Sequence, residues 1–211
     1  MRLFRGIFCL VALGPAWGQD IQPAGHLAPQ SDSRPTTNPE PITPAERFHW
    51  FVNSTVGPTS LTGGLVSAGF GTELDRPTEY GTHWEGFGKR YGMRMTGIST
   101  GNAIEAGLGA LWGEDPRYYR DGTTRPFGRR IGHVVKWTFI AQNKDGSLRP
   151  AYARYIAVTG NNFLSNTWRE HSEADTSHAI ERTGLGILVK MAGNTWDEFW
   201  PDMKRKMFHR R

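Results

Sequence analysis

Cys9 is the only cysteine in this chain, and it lies inside a short apolar run at residues 7–13 (IFCLVAL). Beyond that run there is no disulfide, no thiol nucleophile and no cysteine ligand for a metal, so packing alone must stabilise the fold. A membrane-crossing helix needs ~20 apolar residues, and the run meets Gly14-Pro15 long before that. The phosphate-loop and HExxH spacings are also missing, and with them the sequence signatures of nucleotide-binding loops and zinc hydrolases. Gly86-Phe87-Gly88 followed by Gly92 is only superficially a dinucleotide fingerprint: its last glycine comes one position late and no strand precedes it.

Neither sign of charge dominates the middle of the chain. The formal net charge is +5, but Arg2 and Arg5 precede the apolar run, while Lys204, Arg205, Lys206, Arg210 and Arg211 crowd the C-terminus, leaving the stretch between slightly acidic. A protein that binds nucleic acid more usually spreads its basic residues over a docking face, so no nucleic-acid partner is expected. The terminal cluster reads either as a solvated end or as a contact for anionic lipid and phosphate groups.

Arg2 and Arg5, the apolar run and the small-x-small step Ala16-Trp17-Gly18 before Gln19 together predict a cleaved export signal over residues 1–18. Its consequence is an exported protein of the periplasm or outer envelope. Residues 19–42 carry Pro23, Pro29, Pro35, Pro39 and Pro41 among Gln, Ser, Thr and Asn, a composition that cannot bury enough apolar surface to offset its conformational entropy. They predict a disordered spacer, followed by one domain over residues 43–211.

In that domain the dominant period is helical. Thr43-Pro44-Ala45-Glu46 supplies a capping hydroxyl, a proline at the first helical position and a glutamate placed to close a capping box. The helix it opens runs through Phe48 and Phe51 to Gly57-Pro58, and Leu61, Leu65 and Ala68 mark a second, ending near Gly71. From about 84 to 112, Phe87, Tyr91, Met95, Ile98, Ile104, Leu108 and Leu111 recur at helical steps, as one bent rod or as two helices broken near residues 100–102. Gly88/Gly92 and Gly97/Gly101 are each four apart, the spacing that lets a second helix approach closely. Phe127, Ile131, Val134, Val135 and Phe139 form the clearest stripe. After the turn Lys144-Asp145-Gly146, Pro150 opens a helix with Tyr152, Tyr155, Ile156, Phe163, Leu164 and Trp168, and a last helix from about Thr176 turns Ile180, Ile187, Leu188 and Met191 inward, with a turn or kink near Pro201.

Residues 84–92 (WEGFGKRYG), 114–119 (EDPRYY) and 198–206 (EFWPDMKRK) together resemble a family of uncharacterised exported bacterial proteins, over about residues 48–208. That resemblance implies no activity, so it carries over no functional residue.

Two clusters hold groups capable of chemistry. Glu114, Asp115, Arg117, Tyr118 and Tyr119 bring carboxylates, a guanidinium and phenols into a connector, where binding groups often sit. The competing account is a loop locked by Asp-to-Arg pairs, its phenols packed on the bundle. His171, His178 and Glu181 could reach a divalent ion, the last two as an i, i+3 pair on one helix face, although acidic residues near a helix start are also expected as caps. His133, beside an apolar stripe, reads as a structural histidine. Trp196 and Trp200, just before the basic run, have the order of an interfacial anchor or of ordinary core closure.

These readings predict an all-α, compact bundle of five to seven glycine-rich helices. They assign it no cofactor and a non-enzymatic binding or structural role in the bacterial envelope, in contact with an anionic membrane surface or another envelope component. Glycine-lined faces also serve contacts between chains, so a homo-oligomer stays open. Two other classes stay open as well: a metal-dependent envelope hydrolase centred on His171, His178 and Glu181, and an integral outer-membrane β-barrel, because glycines, aromatics and export also suit barrels.

Overall fold

A computed structural model describes residues 40–208. They form six α-helices and one small sheet: α1 (Pro44–Val56), α2 (Pro58–Glu73), α3 (Trp84–Trp112), α4 (Phe127–Phe139), α5 (Tyr152–Leu164) and α6 (Thr176–Phe208), with β1 (Glu114–Asp115), β2 (Ile140–Asn143) and β3 (Leu148–Pro150). The fold is an all-α bundle and not a barrel. The signal at 1–18, most of the spacer, Arg210 and Arg211 lie outside the described residues. The last spacer residues, Glu40, Pro41 and Ile42, are described and line a cavity against α1 and α3.

Local rules explain where the helices begin and end. The Thr43 hydroxyl accepts the Glu46 amide at 3.2 Å while the Glu46 carboxylate accepts the Thr43 amide at 2.8 Å, which satisfies two of the amides a helix start leaves open. Gly57 closes α1, and Pro58 then starts α2 at its first position. The α3 helix runs unbroken for 29 residues and stops at Gly113, whose φ of 80° is the left-handed cap conformation that glycine adopts without strain. No break occurs at residues 100–102. α6 continues through Pro201 for 33 residues in all.

The sheet is absent from the expectation above. Its order is β1-β2-β3, antiparallel throughout, with Asp115 opposite Gln142 and Ala141 opposite Arg149. The turn foreseen at Lys144-Asp145-Gly146 is the β2–β3 hairpin, in which Gly146 has φ 77°. Pro150 therefore ends a strand, and α5 begins two residues later, where the Glu114 carboxylate accepts the Ala153 amide at 3.0 Å.

α3 is the central rod, packing on α5, α2 and α1, while α6 packs on α4 and α5. The glycine pairs divide. Gly97 and Gly101 lie under Asn161 of α5, whose side chain donates to the Gly97 carbonyl at 3.0 Å. Gly88 and Gly92 need correcting as packing positions, because a Cβ at either would meet no atom within 4 Å. The tightest approaches in α3 are at Gly86, where a Cβ would lie 2.3 Å from the Tyr80 carbonyl oxygen, and at Gly109, 2.6 Å from the Arg47 guanidinium.

Candidate functional site

The interior is charged and its apolar content is small. Apart from Val134 and Trp137, the buried hydrophobic residues are all alanines, and they share the interior with Arg47, Arg90, Glu105, Glu114, Asp115, Asp121, Arg130, Arg154 and Glu198. Many large apolar side chains lie outside. Trp84 is 82 % exposed, Phe127 70 % and Ile180 60 %, so periodicity identifies the faces of α4 and α6 but misplaces Phe127, Ile180 and Leu188, which point away from the core.

The centre is Glu198 of α6, with no exposed surface at all. Its carboxylate accepts Arg130 Nε at 2.7 Å, the Tyr118 hydroxyl at 3.0 Å and the Asp121 amide at 3.1 Å, and its backbone carbonyl accepts Arg130 Nη2. Arg130 also pairs with Asp202 one turn on and lies 4.3 Å over the Phe199 ring. A second buried pair, Arg154 with Glu105 at 3.0 Å, is completed by the Trp137 and Thr138 carbonyls. A third centre, Arg90, donates to the carbonyls of Arg76, Pro77 and Gly81 at 2.9, 2.8 and 2.6 Å. Charges this far from water persist only when paired and hydrogen-bonded.

The 114–119 segment belongs to the same system. Asp115 takes Arg117 through both oxygens, at 3.0 and 2.7 Å, and the Tyr119 hydroxyl at 2.8 Å. Arg117 reaches on to Glu46 at 3.0 Å, tying the segment to the capping box of α1. Burial pushes the Tyr118 and Tyr119 phenols well up from the usual tyrosine range, and the Glu198 and Asp115 carboxylates push them further. Burial likewise raises the Glu114 carboxyl, against the pull of the Ala153 amide. Each of the five side or main chains is thus engaged within the protein. Nearby, His133 Nε2 lies 2.6 Å from the Tyr119 carbonyl.

The histidine cluster does not converge. His178 Nδ1 lies 2.9 Å from Asp175, which also caps the start of α6 through the His178 amide at 2.8 Å. His171 and Glu181 are exposed. Among the described residues no three His, Cys, Asp or Glu side chains come together as a metal-binding group, which corrects the metal site drawn from spacing. At the other end of α6, Trp196 and Trp200 stack with ring centres 4.6 Å apart, Arg205 pairs with Asp202 at 2.6 Å, and Lys204 and Lys206 are exposed.

No family model matches the chain, and neither a curated protein nor a solved structure is significantly similar to it. Function must therefore be read from the geometry alone.

The outer side of α6 has an order of its own. Leu185, Leu188, Ala192, Trp196, Trp200, Met203 and Met207 follow each other at steps of three and four, so they share one side of the helix. Asn194, Glu198 and Asp202 occupy the side that pairs inward. The charged residues missed in the sequence, Arg130, Glu105, Arg154 and Glu198, did leave a signal. Gly86/Arg90, Glu105/Gly109, Arg130/Val134 and Asn194/Glu198 each place a polar residue four positions from another buried one, a second stripe beside the apolar one.

Proposed function

We propose that this protein is a non-enzymatic component of the bacterial envelope, exported through the signal at residues 1–18, that lies on an anionic membrane leaflet through the outer side of α6. The observation that carries the reading is the side-chain placement: paired charges, alanines, Val134 and Trp137 inside, and many large apolar groups, Trp84, Phe127 and Ile180 among them, outside. In water such an exterior is a liability, since exposed apolar patches mark surfaces that meet a partner or a membrane. Against lipid it is favourable, and small residues with paired charges facing the bundle interior are the arrangement expected there.

The chemistry of α6 supports a lipid partner. Its apolar stripe passes Trp196 and Trp200 and ends beside Lys204, Arg205 and Lys206, the order of an interfacial helix whose aromatic residues sit at the headgroup level and whose basic residues meet anionic lipid. No helix among the described residues is long and apolar enough to cross a membrane.

Sedimentation with vesicles tests it. The protein is expected to pellet with phosphatidylglycerol-containing vesicles at low salt, less at high salt, and less with neutral vesicles. Replacing Lys204, Arg205 and Lys206 together by Gln should weaken binding by about a hundredfold, at roughly 1 kcal/mol per basic residue near the surface. Binding indifferent to lipid charge and to salt would remove the tail from the account.

A further inference from the structure

We infer that the cavity between α1 and α3 holds a single aliphatic chain with an anionic head group, the chemistry shared by a free fatty acid and a lysophospholipid.

The two helices run antiparallel. Arg47 of α1 reaches the Glu114 carbonyl, just past the end of α3, at 2.8 Å, and Thr55 one end further accepts Asn102 at 3.1 Å. Between these ties lies a cavity of about 540 Å³, within the ~300–1,000 Å³ typical of small-molecule sites. Its floor is Ala103, Ala106, Gly107 and Ala110, one face of α3 with nothing larger than a methyl group, and its walls include Phe48 and Phe51. At the helical rise, the trough from residue 103 to Gly113 is ~15 Å long. An apolar trough of this length accommodates an extended alkyl chain.

The far end is polar and its charges are unequal. Asp115, which lines it, is already held by Arg117 at 2.7 Å and by the Tyr119 hydroxyl at 2.8 Å. Glu40, the other lining carboxylate, is exposed to solvent. Lys144 and Arg47 make no ion pair among the described residues, and Arg47 is only 9 % exposed with no hydrogen-bond partner for Nη1. Lys144 is thus the free cation at this end among the described residues, and an anionic head there pairs with it while its chain fills the trough.

The site shares no residue with α6, so it is tested apart from membrane docking, by calorimetry on the full chain with monomeric ligands and no vesicles. Dodecanoate should bind saturably, one per chain, and more tightly than dodecanol. Gly107→Leu is the steric block: nothing lies within 4 Å of its Cβ position, so the fold has room for the side chain while the trough does not. It should weaken dodecanoate by about tenfold or more without lowering the thermal midpoint. Lys144→Gln should weaken dodecanoate by about two- to fivefold, the worth of an exposed ion pair, and leave dodecanol unchanged. Tighter binding of lysophosphatidylglycerol than of dodecanoate assigns the site to membrane lipid, and the reverse assigns it to free fatty acid. No saturable binding, undiminished binding by Gly107→Leu, or equal affinity for dodecanol and dodecanoate overturns the inference.

Discussion

Glu198 shows what a single side chain does in this interior. Its two oxygens receive a guanidinium, a phenol and a backbone amide, and the carboxylate itself has no exposed surface through which water could replace them. Glu198→Gln removes the charge that Arg130 is paired with and should cost about 3–5 kcal/mol, the range for breaking a buried pair from one side. Glu85→Gln, at an exposed i, i+4 pair with Lys89, should stay within ~0.5 kcal/mol. Urea denaturation of both variants checks the contrast, and similar midpoints would contradict it. At this scale the sequence was readable where the cause is local. Thr43 and Glu46 state their capping box outright, whereas Glu198 looks like one more acidic residue because its partners lie far away in the chain.

Elements were legible in proportion to their length. A helix of 29 residues repeats its period many times, and its ends at Trp84 and Trp112 can be read from spacing. The strands are two to four residues long and include Pro150, too short for alternation to register. The glycines of α3 show a further limit, because spacing alone does not tell which of them meets a neighbour. Gly86→Ala would drive a Cβ to 2.4 Å from the Gly81 carbonyl oxygen and 2.3 Å from that of Tyr80, and overpacking of this kind costs roughly 1–3 kcal/mol. Gly88→Ala, two residues on and in open space, should stabilise by about 0.5–1 kcal/mol through helix propensity alone. Thermal midpoints that move in opposite directions support the assignment, and a loss at Gly88 would restore it as a packing position.

Across the whole molecule, the apolar stripes gave the helices but not their orientation, since a period of 3.6 marks a face without saying what lies against it. The usual assumption sends Ile180 and Leu188 to the core. Here the core holds Arg130, Glu198, Arg154 and Glu105 with Val134, Trp137 and alanines between them, while Phe127, Ile180 and Leu188 turn outward. The most direct measurement uses nitroxide labels introduced one at a time on a Cys9→Ala background, as Leu188→Cys and Ala192→Cys on the outer side of α6 and Ser172→Cys as a polar control. On anionic vesicles the two α6 labels should gain collisions with oxygen and lose them with a water-soluble nickel chelate, while the label at 172 keeps its access to the chelate. If all three remain as open to nickel with vesicles as without them, the apolar exterior does not meet lipid and the account fails.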